Sequence, residues 1–166
     1  MWVFAGATTI PTFPDRVFNI KDYYNGKDTI YTAAINNAII DCSKQGGGKV
    51  LIPKGEYLTG PIHLKSNVHL HMEDGVVLRF STDPRLYEPI VLTRIEGADC
   101  YNLSPLIYAY GQENIAITGK ALLDGQATAA NWLDPHNMYY HLQPDGRTAR
   151  DKTQLVEMNN AKVDVE

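Results

Sequence analysis

A triple glycine, Gly46-Gly47-Gly48, divides this sequence into two periodicities. Ahead of it, Ile35, Ala38, Ile39 and Cys42 fall at i, i+3, i+4 and i+7. They form one apolar stripe on a helix that opens at Asp28 or Thr29 and runs from about 29 to 44, with Asn36, Asn37 and Asp41 facing away. The glycines stop that helix, because one of them can take the left-handed position just past its end. Behind them the period drops to two. Val50 and Ile52, then Ile62 and Leu64, then Val68, Leu70 and Met72, then Val76 and Leu78 are short alternating runs, each closed by Pro, Gly or an Asn/Asp turn. Many short strands joined by tight turns build a sandwich, a barrel or a solenoid, and period alone does not choose among them.

An internal echo favours the solenoid. Asn67-Val68-His69-Leu70, a turn and Val77-Leu78 return 47 residues later as Asn114-Ile115-Ala116-Ile117, a turn and Leu122-Leu123. Two coils of roughly 20–25 residues each account for that offset. Between the copies, residues 81–105 read as a loop-like excursion rich in polar and aromatic residues, the kind of place where a regular stack carries its binding groups. Residues 1–16, with Pro11 and Pro14, read as an extended lead-in, and residues 17–166 as one domain. After Gln126 the pattern fades until Lys162-Val163-Asp164-Val165-Glu166, which alternates like a strand without a capping turn. An uncapped coil leaves apolar side chains and strand groups in water, so self-association through that end is expected.

Charge and composition exclude some partners. A net charge of -4 and no Lys/Arg stripe argue against a nucleic-acid binder, and no 18-residue apolar run exists to cross a membrane. Met1 to Ala7 lacks the basic start and full apolar stretch of a signal peptide. Cys42 and Cys100 either pair or stand as two buried thiols.

The candidate chemistry is sparse. Gly46-Gly47-Gly48-Lys49 has Val50 where a phosphate loop has a hydroxyl, and sits in a helix-to-strand order, so it reads as a helix stop. His69 and His71 share one face of a strand, with His63 placed one coil earlier; since Val68, Leu70 and Met72 take the inward face, the histidines face solvent and no metal site is assigned. Arg94, Glu96, Asp99 and Tyr101 cluster in the excursion. An arginine with aromatic and carboxylate neighbours can hold a sugar acid through a bidentate contact, and the competing reading is a loop tied by its own Arg94–Glu96 or Arg94–Asp99 pair. Arg94, Glu96 and Tyr101 are the candidate substrate-binding residues. No G-x-S-x-G elbow, H-E-x-x-H helix or C-x-x-C pair is present, and no catalytic residue, metal or cofactor is assigned.

Longer stretches resemble a known family. Phe18-Asn19-Ile20-Lys21-Asp22-Tyr23 and the run from Gly46 through Ile52-Pro53-Lys54-Gly55-Glu56-Tyr57-Leu58-Thr59-Gly60-Pro61-Ile62 are similar to the N-terminal cap and first coils of pectin-degrading β-helix enzymes. Leu78-Arg79-Phe80-Ser81-Thr82-Asp83-Pro84, Thr93-Arg94-Ile95-Glu96-Gly97, Tyr101-Asn102-Leu103-Ser104-Pro105-Leu106-Ile107-Tyr108-Ala109 and Leu123-Asp124-Gly125-Gln126 narrow the resemblance to bacterial polygalacturonases, glycoside hydrolase family 28. It covers roughly residues 11–135. The resemblance implies an all-β, right-handed parallel β-helix, capped at its N-terminus by the helix and incomplete at its C-terminus. It also implies a cleft for pectic polysaccharide or oligogalacturonide, inverting hydrolysis by Asp residues assisted by His, Arg and Lys, and an extracellular or periplasmic location. The family's Asn-Thr-Asp, Asp-Asp, Gly-His-Gly and Arg-Ile-Lys signatures do not occur here, and Arg94-Ile95-Glu96 is no substitute for the last. The expectation is therefore the N-terminal part of a pectin hydrolase, inactive alone. The alternatives are a non-catalytic carbohydrate-binding or adhesive β-helix and a calcium-dependent pectic lyase, for which no acidic cluster is visible.

Overall fold

The computed structural model describes residues 10–95 and 98–128. The helix α1 spans Thr32–Lys44 and buries Ala34, Ile35, Ala38, Ile39 and Cys42, the stripe read from the sequence. It starts three residues later than the expected Thr29. Tyr31 is held on the neighbouring strand by its N–H, which donates to the Leu58 carbonyl at 2.8 Å, and its ring stacks on Tyr24 at 4.3 Å, so the chain turns into the helix only after it. The end is as expected: Gly46 takes φ +88°, its N–H reaches Ser43 O, and the Gly47 N–H reaches Cys42 O, which together satisfy two carbonyls of the last turn.

The strands that follow pair one coil at a time. β1 (Val17–Asn19), β2 (Gly48–Ile52), β5 (Val68–Met72) and β10 (Ala116–Gly119) form one parallel sheet in that order. β3 (Gly55–Thr59), β6 (Val76–Phe80) and β11 (Leu122–Asp124) form a second, and β4 (Ile62–His63) with β9 (Ile107–Tyr108) a third. Parallel strands need crossover connections, and here each crossover is the rest of a turn around the stack. This arrangement of parallel sheets is that of a β-helix. Val50 sits on Leu70 and Ile52 on Met72, all inward and at most 4% exposed, so each sheet contributes an apolar row to one shared core. The helix packs on that core at its first coil through Ile35 and Ile39, covering what the end of a solenoid otherwise leaves in water.

The 47-residue echo needs a correction. Ala116 pairs directly with His69 and Ile117 with Leu70, so the two copies are adjacent rungs one coil apart, not two coils apart. The preceding coil is short, 20 residues from Gly48 to its partner Val68. The extra length lies between β6 and β9. Nor is that excursion only a loop: after a 3-10 turn at Pro84–Tyr87 it carries an antiparallel hairpin of β7 (Val91–Ile95) and β8 (Ala98–Asn102). Residues 10–16 run along the outside of the first sheet, where Phe13 lies 5.2 Å from the His69 ring and Thr12 O accepts the Asn114 side-chain amide. The expected uncapped strand at Lys162–Glu166 lies outside the described residues.

Candidate functional site

The excursion makes a concave site on the third sheet. Its base is pinned at both ends by neutral hydrogen bonds. The Tyr87 hydroxyl donates to Ser81 O at 2.7 Å, and the Ser104 N–H donates to Tyr87 O at 3.0 Å. Ser104 Oγ lies 2.9 Å from His63 Nε2, which ties the returning chain to β4. Burial, with a contribution from Lys65, holds the His63 imidazole below its usual pKa. Tyr87 is 1% exposed and burial raises its hydroxyl pKa, so it stays a neutral donor.

From that base the hairpin leans over β9. Tyr108 reaches up from β9 and donates its hydroxyl to Leu92 O at 2.7 Å. A cavity of about 440 Å³ opens between them, lined by Leu92, Arg94 and Asp99 from the hairpin and by Ile107, Tyr108 and Tyr110 from β9 and the residues after it. Opposed residues of an antiparallel pair share a face, and the register sets Arg94 opposite Asp99 and Leu92 opposite Tyr101. The structure thus brings Arg94 and Tyr101 onto one hairpin face, Tyr101 being 47% exposed, while Cys100 on the opposite parity is 2% exposed. Arg94 Nε lies 3.3 Å from Asp99 Oδ1 with both side chains mostly in water. Such an exposed pair contributes at most about 1 kcal/mol. Glu96 lies outside the described residues.

Other residues singled out from the sequence fall elsewhere. His69 and His71 do face outward from β5, and both imidazoles meet Thr118 Oγ1, at 2.6 and 2.7 Å. His63 is not stacked with them. It stands on the third sheet, 5.3 Å from the Tyr108 ring, because β4 and β5 belong to different faces of the coil. Among the described residues no group of three or more His, Cys, Asp or Glu side chains is placed to hold a metal. Cys42 and Cys100 are separate buried thiols, and burial pushes Cys42 up to about 11. No helix of the described residues is long and apolar enough to cross a membrane. Sequence reasoning missed Leu92, Tyr108 and Tyr110. The hairpin was signalled by Val91-Leu92-Thr93-Arg94-Ile95 followed by Glu96-Gly97, a strand-forming run ahead of a glycine turn.

No family model matches the chain. Among curated proteins it is 31% identical over 127 residues to an exo-poly-α-D-galacturonosidase of Dickeya chrysanthemi, a match that covers 71% of this chain and 21% of that protein. Among solved structures it is similar to a hyperthermoactive exopolygalacturonase from Thermotoga maritima, with a TM-score of 0.80 and 39% identity over 95% of this chain and 36% of that one. A family 28 exopolygalacturonase of Yersinia enterocolitica follows, with a TM-score of 0.56 and 30% identity over 67% of this chain and 21% of that one. The chain thus spans about a fifth of the curated relative's length. With 39% identity to one such enzyme over 95% of the chain and 31% identity to another over 127 residues, the chain belongs to the polygalacturonase family, glycoside hydrolase family 28, of the pectin lyase-like β-helix superfamily.

Proposed function

We propose that this chain is the N-terminal part of a secreted enzyme, extracellular or periplasmic, that hydrolyses pectic polysaccharide with inversion. Its coils wind right-handed, the hand that crossovers between parallel strands take almost without exception. The observation that supports this best is the likeness to the Thermotoga exopolygalacturonase over 95% of the chain at 39% identity. On this reading Arg94, Glu96 and Tyr101 contact the substrate: the guanidinium takes a galacturonate carboxylate and the tyrosine ring lies against a sugar face. Inverting hydrolysis needs two carboxyl groups about 6.5–9.5 Å apart with a water between them. We assign that pair, and the family's His and Arg-Lys groups, to sequence beyond residues 1–166.

Titrating the chain with trigalacturonate, with binding read by NMR and hydrolysis by reducing-sugar release, tests the proposal. Expected are shifts confined to the β7–β8 hairpin and β9, about a tenfold weaker affinity in Arg94→Ala, and no sugar release above blank. Equal binding of a neutral xylo-oligosaccharide would remove the pectic assignment. Hydrolysis at an enzyme-like rate that disappears when residues of this chain are mutated would place catalysis within it.

A further inference from the structure

The cavity wall that faces the hairpin carries an aromatic side chain with no part in holding the fold. Tyr110 lines the cavity and is 62% exposed. Among the described residues, Tyr23, Tyr24, Tyr57, Tyr87 and Tyr108 donate their hydroxyls to partners within the chain, and Tyr31 stacks on Tyr24. Tyr101 and Tyr110 make neither kind of contact among those residues. Exposure by itself is ordinary for a single surface aromatic. The way the Tyr110 backbone is held is not.

Its carbonyl oxygen accepts from Gln112 Nε2 at 3.1 Å. The oxygen of the same amide, Gln112 Oε1, accepts from the Ser66 N–H at 2.8 Å and from Ser66 Oγ at 3.0 Å. Ser66 O in turn accepts from Ser43 Oγ of α1 at 2.9 Å. The turn that carries Tyr110 is therefore fastened through side chains to the coil beneath it and to the capping helix. A ring presented on a backbone already fixed has only its two side-chain torsions to lose when a ligand covers it, so the ordering cost of binding is small.

Arg94 stands across the cavity on the hairpin, whereas Tyr101, on the same hairpin face, is not among the lining residues. A cavity of about 440 Å³ is of a size that small-molecule sites commonly have. A pyranose ring has an apolar face of C–H groups, and in a uronic acid a carboxylate stands at its edge. An aromatic ring covers the first and a guanidinium pairs with the second. We infer that Tyr110 is a substrate-contacting residue, its ring stacked on the C–H face of a galacturonate seated in the cavity with its carboxylate edge toward Arg94. Tyr101 is left to a neighbouring sugar outside the cavity. The inference rests on the proposed pectic substrate and adds to it the residue that reads the sugar ring rather than its charge.

Titration of the full chain with trigalacturonate, comparing the wild type with Tyr110→Ala, Tyr110→Phe and Arg94→Ala, tests it. Expected are about tenfold weaker affinity in Tyr110→Ala and an affinity within about twofold of wild type in Tyr110→Phe, which keeps the ring. A nuclear Overhauser effect between the Tyr110 ring protons and sugar C–H protons is expected in the wild-type complex, and it decides the matter even where Tyr110→Ala fails to fold. Undiminished affinity in Tyr110→Ala beside a weakened Arg94→Ala would overturn the inference and leave the pectic reading standing, as would binding without that ring-to-sugar effect. Equal losses in Tyr110→Ala and Tyr110→Phe would assign the contact to the hydroxyl and overturn the stacking. No binding of trigalacturonate by the wild type would remove the pectic reading and the inference with it.

Discussion

The capping helix is the most direct place to test how this fold is held together. Ile39 is fully buried between α1 and the first coil, whereas its neighbour Ile40 is 37% exposed on the other side of the same helix. Ile39→Ala removes three carbons from the core. At about 0.8 kcal/mol per buried methylene the transfer loss alone is about 2.4 kcal/mol. The cavity left under the helix adds to it, and the expected total lies in the range of about 2–5 kcal/mol. Ile40→Ala removes the same atoms from a partly solvated position and is expected to cost less than about 1 kcal/mol, with helix propensity slightly improved. In urea, with a slope of about 1–3 kcal/mol per molar, a 3 kcal/mol loss moves the midpoint down by roughly 1–3 M. Equilibrium unfolding followed by circular dichroism on both variants provides the readout. Equal midpoints for the two would refute the claim that the helix caps the stack through its Ile35–Ile39 face.

Other expectations follow from single contacts. A Cβ on Gly119, at φ +117°, would lie 1.8 Å from the Met72 carbonyl oxygen, so Gly119→Ala should detach β10 from β5 and speed amide exchange there, with the β1–β2 pairing unchanged. The folded His63 holds its proton less tightly than the unfolded chain, so stability should fall as pH drops through about 6.5 and level off once the folded form is protonated too. His63→Gln should flatten that fall. Tyr23, pushed up to about 12 by burial and by donating to Asp41 Oδ2 at 2.7 Å, should behave in the opposite sense, losing stability between pH 10 and 12, a loss that Tyr23→Phe removes. Arg79, exposed between Glu56 at 2.7 Å and Asp124 at 3.7 Å, should cost under about 1 kcal/mol on replacement by Ala, and less again in high salt.

How much of this was legible depends on the range over which each feature is encoded. The helix stripe Ile35, Ala38, Ile39 and Cys42 and the inward row Val68, Leu70 and Met72 are written in local period, and each is buried as that period requires. The start of α1 is not local. Asp28 and Thr29 look like helix openers, but Leu58, nearly thirty residues on, holds Tyr31 in place first. The echo at Asn67 and Asn114 gave the register correctly and the coil count incorrectly, since an insertion lengthens a coil without altering the rows that stack. At the cavity, Arg94 was readable as a candidate from its residue type, whereas Tyr101, on the same hairpin face, is not among the lining residues. Tyr108 was not readable, because its role comes from the hairpin leaning onto β9.

The unequal coils also set an order of assembly. Bringing β5 onto β2 closes about 20 residues of chain, while bringing β10 onto β5 closes 47. Loop-closure entropy makes the second event cost about 0.8 kcal/mol more. On loop closure alone, the coil nearest the helix is expected to gather first, with the later rung laid on the template beneath it. A nascent chain emerging from the ribosome would meet the same sequence of events, so this end of the molecule can act as the seed on which later coils are laid down.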